Sequence, residues 1–597
     1  MISRSQPTYA PPSRSIRTAT GGQAALGWVL LAVPLLVFGW VWQQYAINIP
    51  KWDDHALRAF LFNTDQETTL SGKLYQLFRQ HNEHRIVYDR LITLLDYWLT
   101  GKLNYVHLMA IGNLSLVGLL AVFYAVLGRS AGAASRNTGL YAVPVALVLF
   151  NLSQWENMYW GMAALQNFSV VLWVLAAFYW LAYTDRWGLA VGAAVLATLT
   201  SGNGLLVWPI GFALLLLRSA EVRAGASRTS YRPLLGWTLC ALLVIGLYFV
   251  GFEKPGGAHA IRPGVTDLLK GWFAVIGAAG EALPMGRPLT NSTALGGLTV
   301  VLTLGIVGMG LVMNQRSLSR VWQQVRHPNR AGGLATMPAI ALFFWGSAAF
   351  LLGTAAIVAY ARTGFGADLL ITSRYKIYSL TLLALLYSYV VATLPGRLGQ
   401  WAGLVGGAGG LALAWLSYFS FLDETIWWRH WLTTNQFNWH YTTRRPVAQL
   451  DAVTARYTDP APAFYDTALP VLFSAGRPGN LKMTVQPSPA GFTIQETELP
   501  PQGLRDAGAY VLARSGQRRY LFPVWQNKRS AGGARLLPDR QFTTGFRADV
   551  LMAELAAGTY QLSVLVVPDG PATPYLINTG QTVTSAGQPA DTTEKNW

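Results

Sequence analysis

Runs of about twenty residues with no charged side chain recur along this chain of 597 residues, and little else constrains its fold so strongly. They occupy residues 28–47, 107–128, 162–184, 233–252, 292–314, 337–359, 377–394 and 399–421. In hydrocarbon no water satisfies a backbone N–H or C=O, so each run is predicted to be a membrane-crossing helix. Two further apolar stretches are Gly139 to Trp155, and Trp187 to Leu217, the latter broken at Thr200-Ser201-Gly202-Asn203-Gly204. A polar, glycine-rich break means either one kinked span or two short spans meeting at a turn.

Charge placement favours two short spans, because Lys and Arg in short loops stay on the cytoplasmic side. With that choice one side collects Arg4, Arg14 and Arg17, then Arg129 and Arg136, Arg186, Arg218 to Arg232, Arg316 to Arg330, and Arg397. The chain is therefore predicted to be a polytopic α-helical membrane protein of about eleven spans. Residues 1–26 form a cytoplasmic tail and 27–421 the transmembrane domain, which includes an outer loop at 48–105. That loop carries both signs of charge in near balance, and a folded loop crosses the membrane regardless of charge. The first apolar run is too long for a secretory signal, and Gln43-Gln44-Tyr45 follows it in place of a small-residue cleavage site, so it is retained.

Hydrophobic residues make up 52% of the chain and charged ones 12%, about half the charge of a soluble protein. The net charge of +17 is spread over short-loop arginines and forms no basic arm, which argues against nucleic acid as a partner; the bilayer is the partner it fits. The single Cys240 can form no intrachain disulfide. After the last span, Trp427, Trp428, Trp431 and Trp439 mix with Arg429, His430 and His440, as in a segment lying at headgroup level, so 422–480 is predicted to be an interfacial linker. Residues 481–597 form an extracytoplasmic β domain, of sandwich type, with a flexible C-terminal end. Its alternating runs are Gly491 to Ile494, Arg519 to Phe522 and Thr559 to Val564.

Polar residues gather at the outer ends of the spans. Asp53 and Asp54 follow the first span and repel one another, which suits a general base or a metal ligand; the bland alternative is a solvated loop. His55 comes next. Then Gln80-His81-Asn82-Glu83-His84-Arg85 leads into an amphipathic helical pattern at Leu91 to Leu99. If helical, His81 and His84 share a face and would bind a divalent metal with Asp53 or Asp54; alternatively Asn82 caps a helix whose first turn holds Glu83. Further clusters are Gln154-Trp155-Glu156-Asn157, Arg362 with its following Thr363-Gly364, and Ser373-Arg374-Tyr375-Lys376. An Arg-Tyr-Lys group at a membrane surface suits a lipid phosphate.

This arrangement resembles the GT-C class of integral-membrane glycosyltransferases, through a first span followed by an outer loop opening on Asp53 and Asp54, amphipathic helices in that loop, many spans and a soluble C-terminal domain. The strings His81 to Val87, Gln154 to Asn157 and Ser373 to Tyr375 also look like a bacterial branch of such proteins. Asp-Asp stands here where better-known members have Asp-Glu. The resemblance implies a bacterial inner-membrane enzyme that moves a sugar from a polyprenyl-phosphate carrier to a hydroxyl of a glycan, lipid or protein acceptor. It implies Asp53 or Asp54 as general base, Arg374, Lys376 and Arg85 on the leaving phosphate, and Glu83, His84 and Glu156 around the sugar or acceptor. Two other classes fit the sequence: a flippase for lipid-linked saccharide, using the broken span at Ser201 to Gly204, and a cell-envelope scaffold.

Overall fold

The computed structural model describes residues 21–222, 232–253, 263–284, 287–315, 319, 337–441, 452–459, 461, 463–479, 481–500, 503–529 and 540–587. The N-terminal arginines and the C-terminal end expected to be flexible lie outside them. Eight helices are long and apolar enough to cross a bilayer, among them Gly22–Tyr45, Tyr105–Gly128, Gly161–Tyr183, Arg232–Phe249 and Pro288–Met313. Three shorter apolar helices, Thr138–Leu149, Trp187–Thr200 and Gly202–Arg218, stand at the stretches expected to supply the remaining spans. Apolar side chains such as Trp28, Leu36, Leu242, Val301 and Leu404 are exposed on the bundle's flank, which only a hydrocarbon solvent tolerates in such number.

The broken stretch is a turn, not a kink. Gly204 N donates to Ser201 O at 2.9 Å, and beyond the turn Trp208 Nε1 donates to Thr198 Oγ1 at 2.9 Å, which folds the chain back on itself. Gly204 is required there, since a Cβ would lie 2.1 Å from Ala197 O.

Between the first two spans, residues 48–105 form three helices, Asp54–Gln66, Leu70–Phe78 and Val87–Thr100. The last two present Leu70, Leu74, Tyr75, Leu95, Trp98 and Leu99 outward, as amphipathic helices do at a membrane surface.

The segment expected to be an interfacial linker is different. Gly396–His440 is one helix of 45 residues, about 67 Å long at 1.5 Å per residue and twice the hydrocarbon thickness, so it must project well out of the bundle. No Pro or Gly interrupts residues 411–440. Its projecting part packs on protein: Trp428, Arg429, His430, Leu432 and Phe437 are buried against the first loop and the C-terminal domain.

That domain pairs two sheets. One has the order β1 (Arg477–Pro478), β9 (Tyr575–Ser585), β8 (Gly558–Val567), β4 (Gly508–Arg514), β5 (Arg519–Pro523). The other runs β2 (Met483–Ser488), β3 (Gly491–Glu496), β7 (Phe542–Leu551), β6 (Trp525–Lys528). All pairs are antiparallel except β1 with β9. Strand β4 is apolar along almost its whole length because both faces are covered. Ala509, Val511 and Ala513 face the space between the sheets, while Tyr510 and Leu512 pack on the Phe464–Leu472 helix and on Phe437 at the end of the long helix. Tyr520 and Phe522 are core residues of the sandwich.

Candidate functional site

The two adjacent acids diverge. A left-handed turn at Trp52, with φ of 37°, delivers the chain into the Asp54–Gln66 helix. Asp54 is fully buried: its carboxylate accepts from Met162 N at 2.8 Å and Lys51 N at 3.1 Å. It thus caps, from a remote part of the chain, the helix that begins at Gly161, satisfying donors a helix start leaves orphaned. Burial pushes the Asp54 carboxyl up to about 7, against the pull of those N–H groups. Asp53 keeps 36% of its side chain exposed and lies 3.8 Å from His81 Nε2.

The His81 to Arg85 string is a turn and not a helix start. His81 N donates to His84 O at 2.8 Å and His84 N to His81 O at 2.9 Å, with Asn82 at φ 48°, a conformation Asn tolerates. The following helix begins at Val87, so Asn82 caps nothing. His81 and His84 share no helical face. His81 approaches Asp53, whereas His84 Nδ1 faces Gly202 N at 3.3 Å, in the turn of the broken span. Burial lowers both imidazoles below their ordinary pKa and keeps them neutral. Glu83 reaches Arg362 at 3.7 Å. Arg85 is spent on carbonyls: its guanidinium donates to Tyr248 O at 2.6 Å and to the oxygens of Phe78 and Val250. Those bonds tie the loop to the end of the Arg232–Phe249 helix and give the buried guanidinium a structural use.

Two strings 217 residues apart clasp each other at the same end of the bundle. Ser373 Oγ donates to Ser153 O at 2.8 Å and accepts from Glu156 N at 3.0 Å; Asn157 Nδ2 donates to Arg374 O at 3.0 Å. Arg374 Nε lies 3.4 Å from Glu156 Oε1, with the guanidinium 5.3 Å from the Trp160 ring. Arg362 Nε donates to Tyr375 Oη at 3.2 Å, which joins this clasp to Glu83. Lys376 departs from its expected place: it is buried and paired with Glu281 at 2.5 Å, over Phe421. A lysine so engaged is not offered to a phosphate. His55 also leaves the group and turns into a separate cleft beside Trp439.

The four residues expected to hold a metal do not form a site. Asp54 is engaged elsewhere and His84 faces Gly202, so only Asp53 and His81 meet; among the described residues no group of three His, Cys, Asp or Glu is placed to hold an ion.

Two features escaped the sequence reading. Lys51 Nζ is enclosed by Trp52, Trp428 and Trp431, at 3.6, 4.1 and 3.4 Å from their ring centres. Burial pulls its pKa down to about 7, with Glu156 opposing. The tryptophan-rich string was visible, but its target was not. Glu281 carried one signal, as the only acidic residue between Asp267 and Asp368. Comparison with protein families, with curated proteins and with solved structures finds no match for the chain.

Proposed function

We propose that this protein is a membrane-embedded glycosyltransferase that moves a sugar from a polyprenyl-phosphate carrier to an acceptor hydroxyl. The observation that carries it is the meeting, at one end of the bundle, of the Asp53–His81 pair, the Glu83–Arg362–Tyr375 chain and the Glu156–Arg374 clasp, contributed by five separate segments. In this reading the chain crosses the membrane about eleven times. The short-loop arginines hold the N-terminus in the cytoplasm, and the site and β domain face outward across a bacterial inner membrane.

Of the two acids, Asp53 is the general base, because Asp54 is buried and its oxygens are engaged. Asp53 accepts the proton of the acceptor hydroxyl as that oxygen bonds to the anomeric carbon. The bond from that carbon to the phosphate oxygen breaks, and the carrier phosphate leaves with the bonding pair. Arg362 and Arg374, partly exposed, stabilise the charge growing on it. Glu83 and Glu156 hold these arginines in position, and neutral His81 orients Asp53. No metal is used.

The test is incubation of purified protein with polyprenyl-phosphate sugars and mass measurement of released carrier and product. Asp53→Asn is expected to abolish transfer while leaving the melting temperature unchanged. Full transfer by that variant rejects the proposal.

A further inference from the structure

On the other side of the first loop, the projecting half of the Gly396–His440 helix and the Ala452–Tyr457 helix enclose a cleft of about 120 Å³. Its walls are fixed to one another. Tyr105 N donates to Asn48 Oδ1 at 2.8 Å, Asn48 Nδ2 to Asp459 O at 3.2 Å, and Leu103 N to Tyr457 O at 2.7 Å. A cleft so tied is formed before any ligand arrives, which spares the cost of ordering it on binding.

The long helix lines it with Asn435, Gln436, Trp439 and His440, a helical spacing that sets all four on one face, and the loop adds His55 and Arg58. Trp439 is 59% exposed, whereas Trp428 in the same helix is 3% exposed, so this indole serves no packing role that would explain it. Gln436 Oε1 is buried and accepts no hydrogen bond from any described residue. An acceptor left in that state has given up its water without replacement, and a ligand donor would make that good. Burial pushes His55 down to about 4, so its ring is neutral, with one donor and one acceptor nitrogen.

Side-chain amides and a neutral imidazole supply donors and acceptors together, as a polyol demands of its surroundings. The negative face of an indole suits the slightly positive C–H face of a pyranose or furanose ring. The volume lies below the roughly 300 Å³ at which pockets for drug-sized molecules begin, which suits a single ring and excludes a polyprenyl tail. One arginine, with Asp459 lining the same cleft, makes a poor phosphate site.

We infer that this cleft is a carbohydrate subsite that holds one neutral sugar unit stacked on Trp439 and hydrogen-bonded by Asn435, Gln436 and His55. His55 and Asp53 are two positions apart at a helix start, so their side chains point to opposite sides. The bound unit is therefore a distal residue of the acceptor glycan and not the sugar in transit. The acceptor assignment rests on the transferase reading; sugar binding does not.

Saturation-transfer NMR on the full chain in nanodiscs tests it, with the methyl glycosides of glucose, galactose, mannose and arabinose as probes and glycerol phosphate as the charged comparison. At least one glycoside is expected to bind. Trp439→Ala and Gln436→Ala should each weaken that binding at least tenfold, Trp439→Phe should retain most of it, and Asp53→Asn should leave it unchanged. Absence of glycoside binding, equal binding to Trp439→Ala, or glycerol phosphate taking the place of the sugars would overturn the subsite. A transferase assay that fails while glycosides bind through Trp439 rejects the enzyme reading alone.

Discussion

Burial drives the Asp54 carboxyl up to about 7 from 3.8, and this has a consequence for stability with a definite sign. The folded chain holds a proton that the unfolded chain has released. The associated stability is therefore complete below about 4 and is lost as the pH rises through about 7. His55, His81 and His84 act oppositely, because burial lowers them and the unfolded chain takes up their protons first on acidification. The readout that isolates Asp54 is a comparison with Asp54→Asn. Between pH 5 and pH 8 the parent should lose about 2–3 kcal/mol relative to that variant, followed as the gap between their melting temperatures in detergent. A gap independent of pH would show that Asp54 does not titrate in that range. A second residue-scale prediction concerns Gly202, where an added Cβ would lie 2.9 Å from His84 Nδ1 and 3.3 Å from Tyr248 Oη. Gly202→Ala should cost about 1–3 kcal/mol and reduce transfer, since the imidazole must move away from the turn. An unchanged melting temperature and rate would mean that this contact is loose.

Among the elements, the tight turn at His81 to His84 is the one that decides where the loop's chemistry points. Asn82 holds its left-handed φ of 48°, which costs an ordinary L residue about 1–2 kcal/mol and a β-branched one more. Asn82→Gly should retain stability and transfer. Asn82→Val should lose at least that stability and most transfer, as His81 leaves Asp53 and Glu83 leaves Arg362; melting curves and single-turnover rates check both. What the sequence revealed and what it hid divide along the range of the forces involved. The amphipathic helix at Leu91 to Leu99 and the strands at Gly491, Arg519 and Thr559 were legible because their periodicity is local. The His81 turn resembles a helix start in sequence because Asn suits both a cap and a left-handed residue. Hydropathy ends at residue 421 within the unbroken helix to His440, yet helix continuity depends on backbone propensity, and residues 411–440 contain neither Gly nor Pro. Asp54's cap on the helix at Gly161, the packing of Lys51 on Trp428 and the Glu281–Lys376 pair join residues 95 or more positions apart, with nothing local to announce them, apart from Glu281's isolation among apolar neighbours.

At the scale of the whole molecule, the projecting helix joins bundle, loop and sandwich through a few buried polar contacts. Arg429 donates to both oxygens of Asp506, at 2.7 and 2.8 Å, and to the carbonyls of Tyr45 and Ala46 at the end of the first span. Burial alone would raise Asp506, but the Arg429 guanidinium more than offsets it and holds the carboxyl below its ordinary range. Around this pair, His430 Nε2 meets Arg505 O at 2.6 Å, Lys528 pairs with Asp423 at 2.6 Å, and Trp427 stacks on Trp525 at 4.7 Å. Trp428 and Trp431, the neighbours of Arg429 on that helix, are two walls of the Lys51 cage, and Lys51 N is one of the two donors to Asp54. A loosened sandwich is therefore felt at the acid pair through covalent neighbours and not through distance. Asp506→Asn should cost about 3–5 kcal/mol, because it leaves a guanidinium buried without its counter-charge. Arg429→Met combined with Asp506→Leu should recover much of that loss, since an apolar pair carries no such penalty. The measurement is a double-mutant cycle on unfolding, together with hydrogen exchange of strand β4, which Asp506 adjoins. Exchange in β4 should rise and transfer fall in Asp506→Asn, with both partly restored in the apolar pair. Single substitutions that add within about 0.5 kcal/mol would mean that Arg429 and Asp506 are not coupled, and that the sandwich is held by its aromatic contacts instead.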